Sequence, residues 1–213
     1  LNYDIALSIL FTTEKKVNIG SGGLALKTKS EVPFARVRIG SGEEKLFIPA
    51  STIKGLLRTS LIRVSNLLGY SSNVADSVNP ESLRSLKDDV VTNIFGKPGR
   101  CSKIKVSPAV LDNLDTYPLP HVKIDDKTRV AEEQGLFTVE YLPIGCNFKV
   151  KLVGNNLEIE EIRALMVAIA EIKYERVGKA GIVDVKIVVG ESKIPKEVAG
   201  DPIVSLVLGV IGI

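Results

Sequence analysis

The chain has no tryptophan, a single histidine and two cysteines. Each scarcity removes a class of chemistry. A zinc site built from the usual nitrogen and sulfur ligands needs more than His121 and two scattered thiols. A Ser-His-Asp or Cys-His hydrolase would have to use His121 itself, and no nucleophile motif accompanies it. Cys101 and Cys146 lie far apart, in no metal-ligand spacing, and read as free thiols of a cytoplasmic protein. Long hydrophobic runs are also lacking. The longest apolar stretch, Ile203 to Ile213, has 11 residues, too few to span a bilayer. It reads as a buried strand, or as a segment that docks on a neighbouring chain. Leu1 to Phe11 carries Asp4 and no basic stretch, unlike a secretory leader. Nor is there an excess of one charge: 28 Lys and Arg against 25 Asp and Glu leave +3. So mild a basicity permits a nucleic-acid partner without arguing for one, and any such case must come from local placement. Gln134 is the only glutamine, while Ile, Val and Lys are plentiful, as in hot-growing sources.

What is present is an ordinary globular composition, 45% hydrophobic and 25% charged over 213 residues. That is room for one large domain or two small ones, and the lack of a clean linker or repeat favours one. Tyr3 to Thr12 reads as a strand. Val17 to Gly23 is a glycine-rich loop able to approach a ligand closely. Phe34 to Ile39 reads as a strand with Arg36 and Arg38 on one face, and Lys45 to Ile48 as a short strand. Pro49 to Gly69 has helical spacing at Ile53, Leu56, Leu57, Leu61, Val64, Leu67 and Leu68, with Ser51 as N-cap. Pro80 to Phe95 reads as a second helix ended by Gly96. Ile104 to Val106 reads as a strand, but residues 97–135 are otherwise irregular, a pattern that inside a compact domain marks functional segments. Leu136 to Leu142 and Phe148 to Val153 read as strands. Glu158 to Tyr174 reads as a helix with acids in its first turn, and Ile182 to Val189 as a strand. This order matches an α+β, ferredoxin-like (RRM-like) βαββαβ core, a single domain over 1–213 with insertions at about 69–102 and 112–135.

The strongest local signal is Ile48-Pro49-Ala50-Ser51-Thr52-Ile53-Lys54-Gly55-Leu56-Leu57-Arg58. Ser51, Lys54 and Arg58 are three and four apart and share one helix face. That face starts at a helix N-terminus, where unpaired N–H groups and the dipole suit a phosphate. A capped amphipathic helix with a solvated basic face has the same spacing.

The same segment resembles the I-P-G-S-S-L-K-G-x-x-R signature of the RAMP superfamily, the repeat-associated RNA-binding proteins of CRISPR systems. Other segments resemble further family motifs in chain order. Val17-Asn18-Ile19-Gly20-Ser21-Gly22 is similar to an early "hIGG" loop, and Asn93-Ile94-Phe95-Gly96 to an "LFG". Val122 to Asp125 with Thr128 to Ala131 resembles the lead into a thumb hairpin. Gly178-Lys179-Ala180-Gly181 stands where the family has a glycine-rich loop. The resemblance spans about residues 3–190 and is nearest the repeating backbone subunit of type III (Csm/Cmr) effector complexes. It implies guide RNA (crRNA) and target RNA as partners, together with other complex subunits and copies of the chain along the guide, and no membrane. The implied RNA contacts are Gly20, Ser21, Gly22, Arg36, Arg38, Ser51, Lys54, Arg58, Lys123, Lys127, Arg129 and Lys179. Contacts of this kind to phosphates supply affinity and leave sequence readout to base pairing.

Family members of this kind often cut target RNA by a metal-dependent attack of the ribose 2′-hydroxyl, with an essential aspartate between the "hIGG" and "IPGS" motifs. No aspartate occurs between Asp4 and Asp76 here. Glu31 stands at or beside that position, and Asn18 stands where relatives often have histidine. The extra methylene of Glu31 moves its carboxylate by more than about an ångström, enough to cost orders of magnitude in rate. The resemblance therefore leaves open a ribonuclease using Glu31 with Mg2+ or Mn2+, a non-catalytic backbone subunit, a terminal capping paralogue and a guide-processing endoribonuclease. The last usually relies on a histidine near the first helix, which this chain lacks. His121 stands between prolines, where a packed or surface role competes with acid–base chemistry.

Overall fold

The computed structural model describes residues 1–20, 30–38, 40, 42–70, 88–112, 114–178 and 181–213. Strand β1 (Asn2–Thr13) sends Ile5, Leu7, Ile9 and Phe11 to one side, the two-residue period of a half-buried strand. It is flanked by β8 (Asn147–Glu158) and β9 (Val183–Ile187), and β8 carries the short β4 (Ile104–Val106) on its far edge. The order is β4-β8-β1-β9, and every neighbouring pair is antiparallel.

Helices cover the apolar side of this sheet. Along α1 (Ala50–Ser65), Ile53, Leu57, Leu61 and Val64 are buried at helical spacing. They pack against Ile162, Leu165, Met166 and Ile169 of α3 (Ile159–Glu171) in one apolar cluster with the sheet. Each fully buried Leu or Ile contributes roughly 1.5–3 kcal/mol. Glu158 and Glu161 form a capping box at the start of α3, and Glu161 also pairs with Lys103 at 2.7 Å. The opposite side of the sheet has no α-helix among the described residues; Ser8 is buried there under Glu191 of a single 3-10 turn (Val189–Glu191), and by register Lys105, Lys149, Lys151 and Lys186 stand exposed on the same side.

Two smaller layers complete the described chain. Strands β2 (Arg36–Arg38), β3 (Glu44–Ile48) and β5 (Ala109–Leu111) form a second antiparallel sheet. Strands β6 (Tyr117–Ile124) and β7 (Ala131–Tyr141) form a long hairpin. The chain is thus mixed α+β with antiparallel sheets. No helix among the described residues is long and apolar enough to cross a membrane. Cys101 and Cys146 are free thiols, the first exposed and the second buried, where desolvation pushes its pKa up.

Four expectations need correction. Residues 97–135 are not mainly irregular, because β5, β6 and the first part of β7 lie there. Pro118 and Pro120 obscured β6. They are two residues apart, so both missing N–H groups fall on the same edge of the strand, and an edge strand tolerates that. The run Ile203 to Ile213 is not a strand. It is largely helix α5 (Pro202–Ile211), following the short α4 (Lys196–Ala199), and Asp201 caps it by accepting from the N–H groups of Ile203 and Val204. Proline at the first helical position and Asp before it are the start signal. Ser51 is not the N-cap of α1. Pro49 occupies that position, no side chain caps the helix, and Ser51 lies exposed within the first turn. The described part of the second predicted helix is α2 (Val90–Phe95), which begins after a capping box of Asp89 and Thr92; residues 80–87 lie outside the described residues.

Candidate functional site

Proline at position 49 directs the chain out of β3 and into α1 with no acidic residue in the first turn. The exposed flank of the helix carries Ser51, Gly55 and, half-buried beside them, Lys54 and Arg58. Desolvation, then the neighbouring Arg58 guanidinium, push the Lys54 pKa down. Among the described residues neither Lys54 nor Arg58 forms an ion pair. A cation that is partly desolvated and unpaired gains most when an anion arrives.

Gly55 adds a second feature. A Cβ built there meets nothing within 4 Å, so the fold does not require glycine. Glycine inside a helix costs about 1 kcal/mol relative to alanine. The result is a bare patch of helix backbone between Ser51, Lys54 and Arg58.

The other flank of α1 faces the turn before β9. Thr52, Leu56 and Thr59 line a cleft of about 190 Å³ with Glu175, Arg176, Val177 and Gly178. Arg63 reaches Glu175 at 2.8 Å and closes one end of this contact. Gly178 has φ +60°, and a Cβ there would overlap the carbonyl oxygen of Asn18. Glycine is therefore obligatory at this point, and it brings the loop after Val17 against the α1 flank. Asn18 is buried, and its side-chain amide donates to the Glu140 carbonyl at 2.6 Å.

Through that bond the loop reaches the hairpin. The carboxylate of Glu140, itself buried, accepts from the Phe34 N–H and from Arg36, each at 2.9 Å. Residue 32 adds to the free edge of β7 by a parallel bridge to Val139. Glu31 lies just before it, and its carboxylate accepts from the Thr138 N–H at 2.7 Å. That hydrogen bond holds the Glu31 pKa below the usual glutamate value although the side chain is exposed to solvent. Glu31 is thus ionised and fixed at one oxygen. Among the described residues no group of three His, Cys, Asp or Glu side chains converges as a metal-binding set would.

The remaining candidates are more dispersed. Arg36 is committed to Glu140, and Arg38 pairs with Glu44 at 3.2 Å on the exposed edge of β2. Lys123 pairs with Glu132 at 2.8 Å across the hairpin. Lys127 and Arg129 lie exposed in its tip, where Asp125 accepts from the Lys127 and Thr128 N–H groups and its own pKa is lowered by those bonds. His121 is half-buried lower on the hairpin, stacked on Phe137 and 3.1 Å from the Tyr141 hydroxyl. It is part of an aromatic cluster with Tyr117 and Tyr141, over which Lys16 sits at 4.8 Å. Gly20 bridges to Phe34. Ser21, Gly22 and Lys179 lie outside the described residues.

The structure therefore links the Thr52–Leu56–Thr59 flank of α1, the Gly178 turn, the buried Asn18 and the Glu31–Glu140 segment through a chain of contacts, with Ser51, Lys54 and Arg58 on the other flank of the helix. It leaves Arg38 and the hairpin tip apart from it. Sequence reasoning missed Glu140, the residue that ties Arg36, Phe34 and the hairpin together. Its signal was an acid inside an apolar strand, Val139-Glu140-Tyr141.

A family model described as the RAMP superfamily matches residues 10–181, most of the chain, and takes in each of these elements. No curated protein matches the chain.

Proposed function

The chain belongs to the RAMP superfamily of CRISPR-associated RNA-binding proteins, and from that premise we propose that it is a guide-RNA-binding backbone subunit of a type III interference complex. The sheet order β4-β8-β1-β9, with α1 and α3 on one side, supports a ferredoxin-like, RRM-like βαββαβ core within a single domain over 1–213. The hairpin β6–β7 then serves as the thumb that separates guide–target base pairs at intervals.

The observation that carries the reading is the α1 flank. Lys54 and Arg58 are cations without acidic partners among the described residues, on either side of a glycine that the fold itself does not need. A phosphodiester backbone laid over Gly55 would take both charges and the Ser51 hydroxyl. Lys127 and Arg129, exposed at the hairpin tip, would give the thumb phosphate contacts of its own, while Arg36, Arg38 and Lys123 would have to leave Glu140, Glu44 and Glu132 to join them. Partners are guide RNA, target RNA, copies of the chain and other complex subunits.

The test is binding to a guide-like single strand across a salt series, with particle mass recorded alongside. Neutralising four phosphates gives a slope of log K against log salt near −3. Partial loss of that slope in Lys54→Ala/Arg58→Ala, with mass that grows with RNA length, supports the backbone role. A fixed mass assigns the chain to a capping position instead. No binding at low salt, with partner subunits present, rejects the RNA reading.

A second reading is favoured by one feature: Glu31 is ionised, exposed and held in place by Thr138. In that reading the subunit also cuts target RNA. The ribose 2′-oxygen attacks the adjacent phosphorus, the 5′-oxygen leaves with a proton, and a 2′,3′-cyclic phosphate remains. One carboxylate is a sparse donor set, so Mg2+ or Mn2+ would take its other ligands from phosphate oxygens and water. Cutting that disappears in Glu31→Ala supports this reading, and cutting that persists moves the chemistry elsewhere. A guide-processing role fits less well, because His121 is engaged with Phe137 and Tyr141 on the hairpin.

A further inference from the structure

The side of the main sheet that faces away from α1 and α3 carries a line of cations. By register Lys105 lies beside Val153, Lys151 beside Ser8, and Lys149 beside Leu10, whose other neighbour is Lys186. Side chains two apart on a strand are separated by about 7 Å, and adjacent strands by about 4.8 Å. Lys105, Lys151 and Lys149 therefore form a diagonal stripe with steps of roughly 7–8 Å. That repeat is of the order of successive phosphates in an extended single strand. Lys105, Lys149, Lys151 and Lys186 are all exposed. Lys149 pairs with Glu191 at 2.5 Å, while Lys105, Lys151 and Lys186 have no ion pair among the described residues. Between the stripe and Lys193 a cleft of about 470 Å³ is lined by Ala6, Ser8 and Val153 and by one acid, Glu191, which accepts from the Ser8 hydroxyl and is neutralised by Lys149. Phe11 and Phe148 stack on each other with both rings buried, so this sheet offers them to no base.

We propose that this open sheet face is a second binding track for a single-stranded nucleic-acid backbone, separate from the α1 flank and reading phosphates without reading bases. Lysine is a point charge that suits a flexible polyanion, and a stripe without aromatic platforms gives affinity without sequence preference. Because the stripe lies on the uncovered side of the sheet and Lys54 with Arg58 on the helix-covered side, one strand could pass over α1 while another lies on the sheet.

The experiment uses the full chain and a fluorescein-labelled oligouridine at about 50 mM salt, where phosphate contacts are strongest. Lys105→Gln/Lys149→Gln/Lys151→Gln is expected to weaken binding roughly ten-fold and to flatten the salt slope by about 2, at about 0.7 for each of three single-strand phosphates. In a Lys54→Ala/Arg58→Ala background the residual binding should disappear with the triple change. A 4-thiouridine oligonucleotide on the unaltered chain should crosslink to the peptide spanning 147–158. Affinity and slope that stay within two-fold in both backgrounds, with crosslinks confined to α1 and the hairpin, overturn the proposal. That result would leave the lysine face to an acidic protein partner. Loss through Lys54→Ala/Arg58→Ala alone keeps the α1 reading and rejects this one, whereas loss through the lysine triple alone does the reverse.

Discussion

The main sheet and the β6–β7 hairpin are both antiparallel β-structure, yet they differ in what holds them. In the sheet, β1 and β8 each bury a full row of apolar side chains under two helices. In the hairpin, Val122, Ile124, Val130 and Leu136 are exposed, and the distal half buries almost nothing. An isolated two-stranded ribbon is marginal by itself. This one is anchored at its base, where residue 32 adds to β7 and Glu140 gathers Phe34 and Arg36. The sheet supplies stability, and the hairpin draws on it to present surface at a distance from the core.

The largest effect should come from breaking the covered side. Leu57 of α1 is fully buried in the apolar cluster that α1 shares with α3 and the sheet. Leu57→Ala is expected to cost about 2–5 kcal/mol through lost burial and the cavity left behind. Urea unfolding followed by circular dichroism would measure it. A loss below about 1 kcal/mol would mean that α1 is not a principal wall of the core.

The same contrast explains what the sequence revealed. β1, α1, β8, α3 and β9 each have one buried face, so their apolar residues repeat at two or 3.6 positions and were readable. Strand β6 has no covered face along its outer half and carries two prolines, so its sequence imitates a loop. Helix α5 misled for the opposite reason. Its apolar residues run all round, with Val204, Val207 and Ile211 buried and Leu206 and Val210 exposed, so no period survives. Of the candidate site, the α1 signature was legible because helical spacing fixes which residues share a face. The Asn18–Glu140–Arg36 linkage was not, since it joins residues more than 100 positions apart through side-chain bonds.

A pH series probes the outer layer of the covered side. Asp201 caps α5 and pairs with Arg163 at 2.6 Å, and the Arg163 hydrogen bond holds its carboxyl below the ordinary aspartate value. A group with a depressed folded pKa contributes stability above its unfolded value, near about 3.9, and loses it as pH falls through the folded value. Asp201→Asn keeps a capping oxygen but removes the charge. It should cost about 1–2 kcal/mol at neutral pH, discounted for the partly exposed Arg163. The gap between wild type and variant should close in melts below about pH 4. A gap that is constant with pH would mean that packing, and not the charge, holds α5.

Gly55 separates stability from binding on the α1 flank. Gly55→Ala should raise stability by about 1 kcal/mol, since nothing obstructs the methyl group and helix propensity improves. If an RNA backbone lies on that patch, the same change should weaken guide binding several-fold. A chain that is stabilised and binds equally well would remove Gly55 from the interface and leave the two cations to act from the side.

The smallest effect on stability should fall on the hairpin. Val122 and Leu136 are cross-strand partners, 50% and 66% exposed. Little area leaves water when they fold, so Val122→Ser/Leu136→Ser should shift unfolding by no more than about 0.5 kcal/mol. On the sheet, Val150 is buried beneath the helices, and Val150→Ser should be severely destabilising because it removes packing and buries a hydroxyl. What the hairpin change should alter is assembly. In the proposed backbone reading, an exposed apolar pair on a ribbon that also carries Lys127 and Arg129 would reach between bases or against the next copy. Particle mass on long guide-like RNA should then fall for the double variant while its melting temperature stays where it was. Mass that still grows with RNA length as in the wild type would show that the pair serves neither contact. Any role of the hairpin in assembly would then rest on its backbone and charges alone.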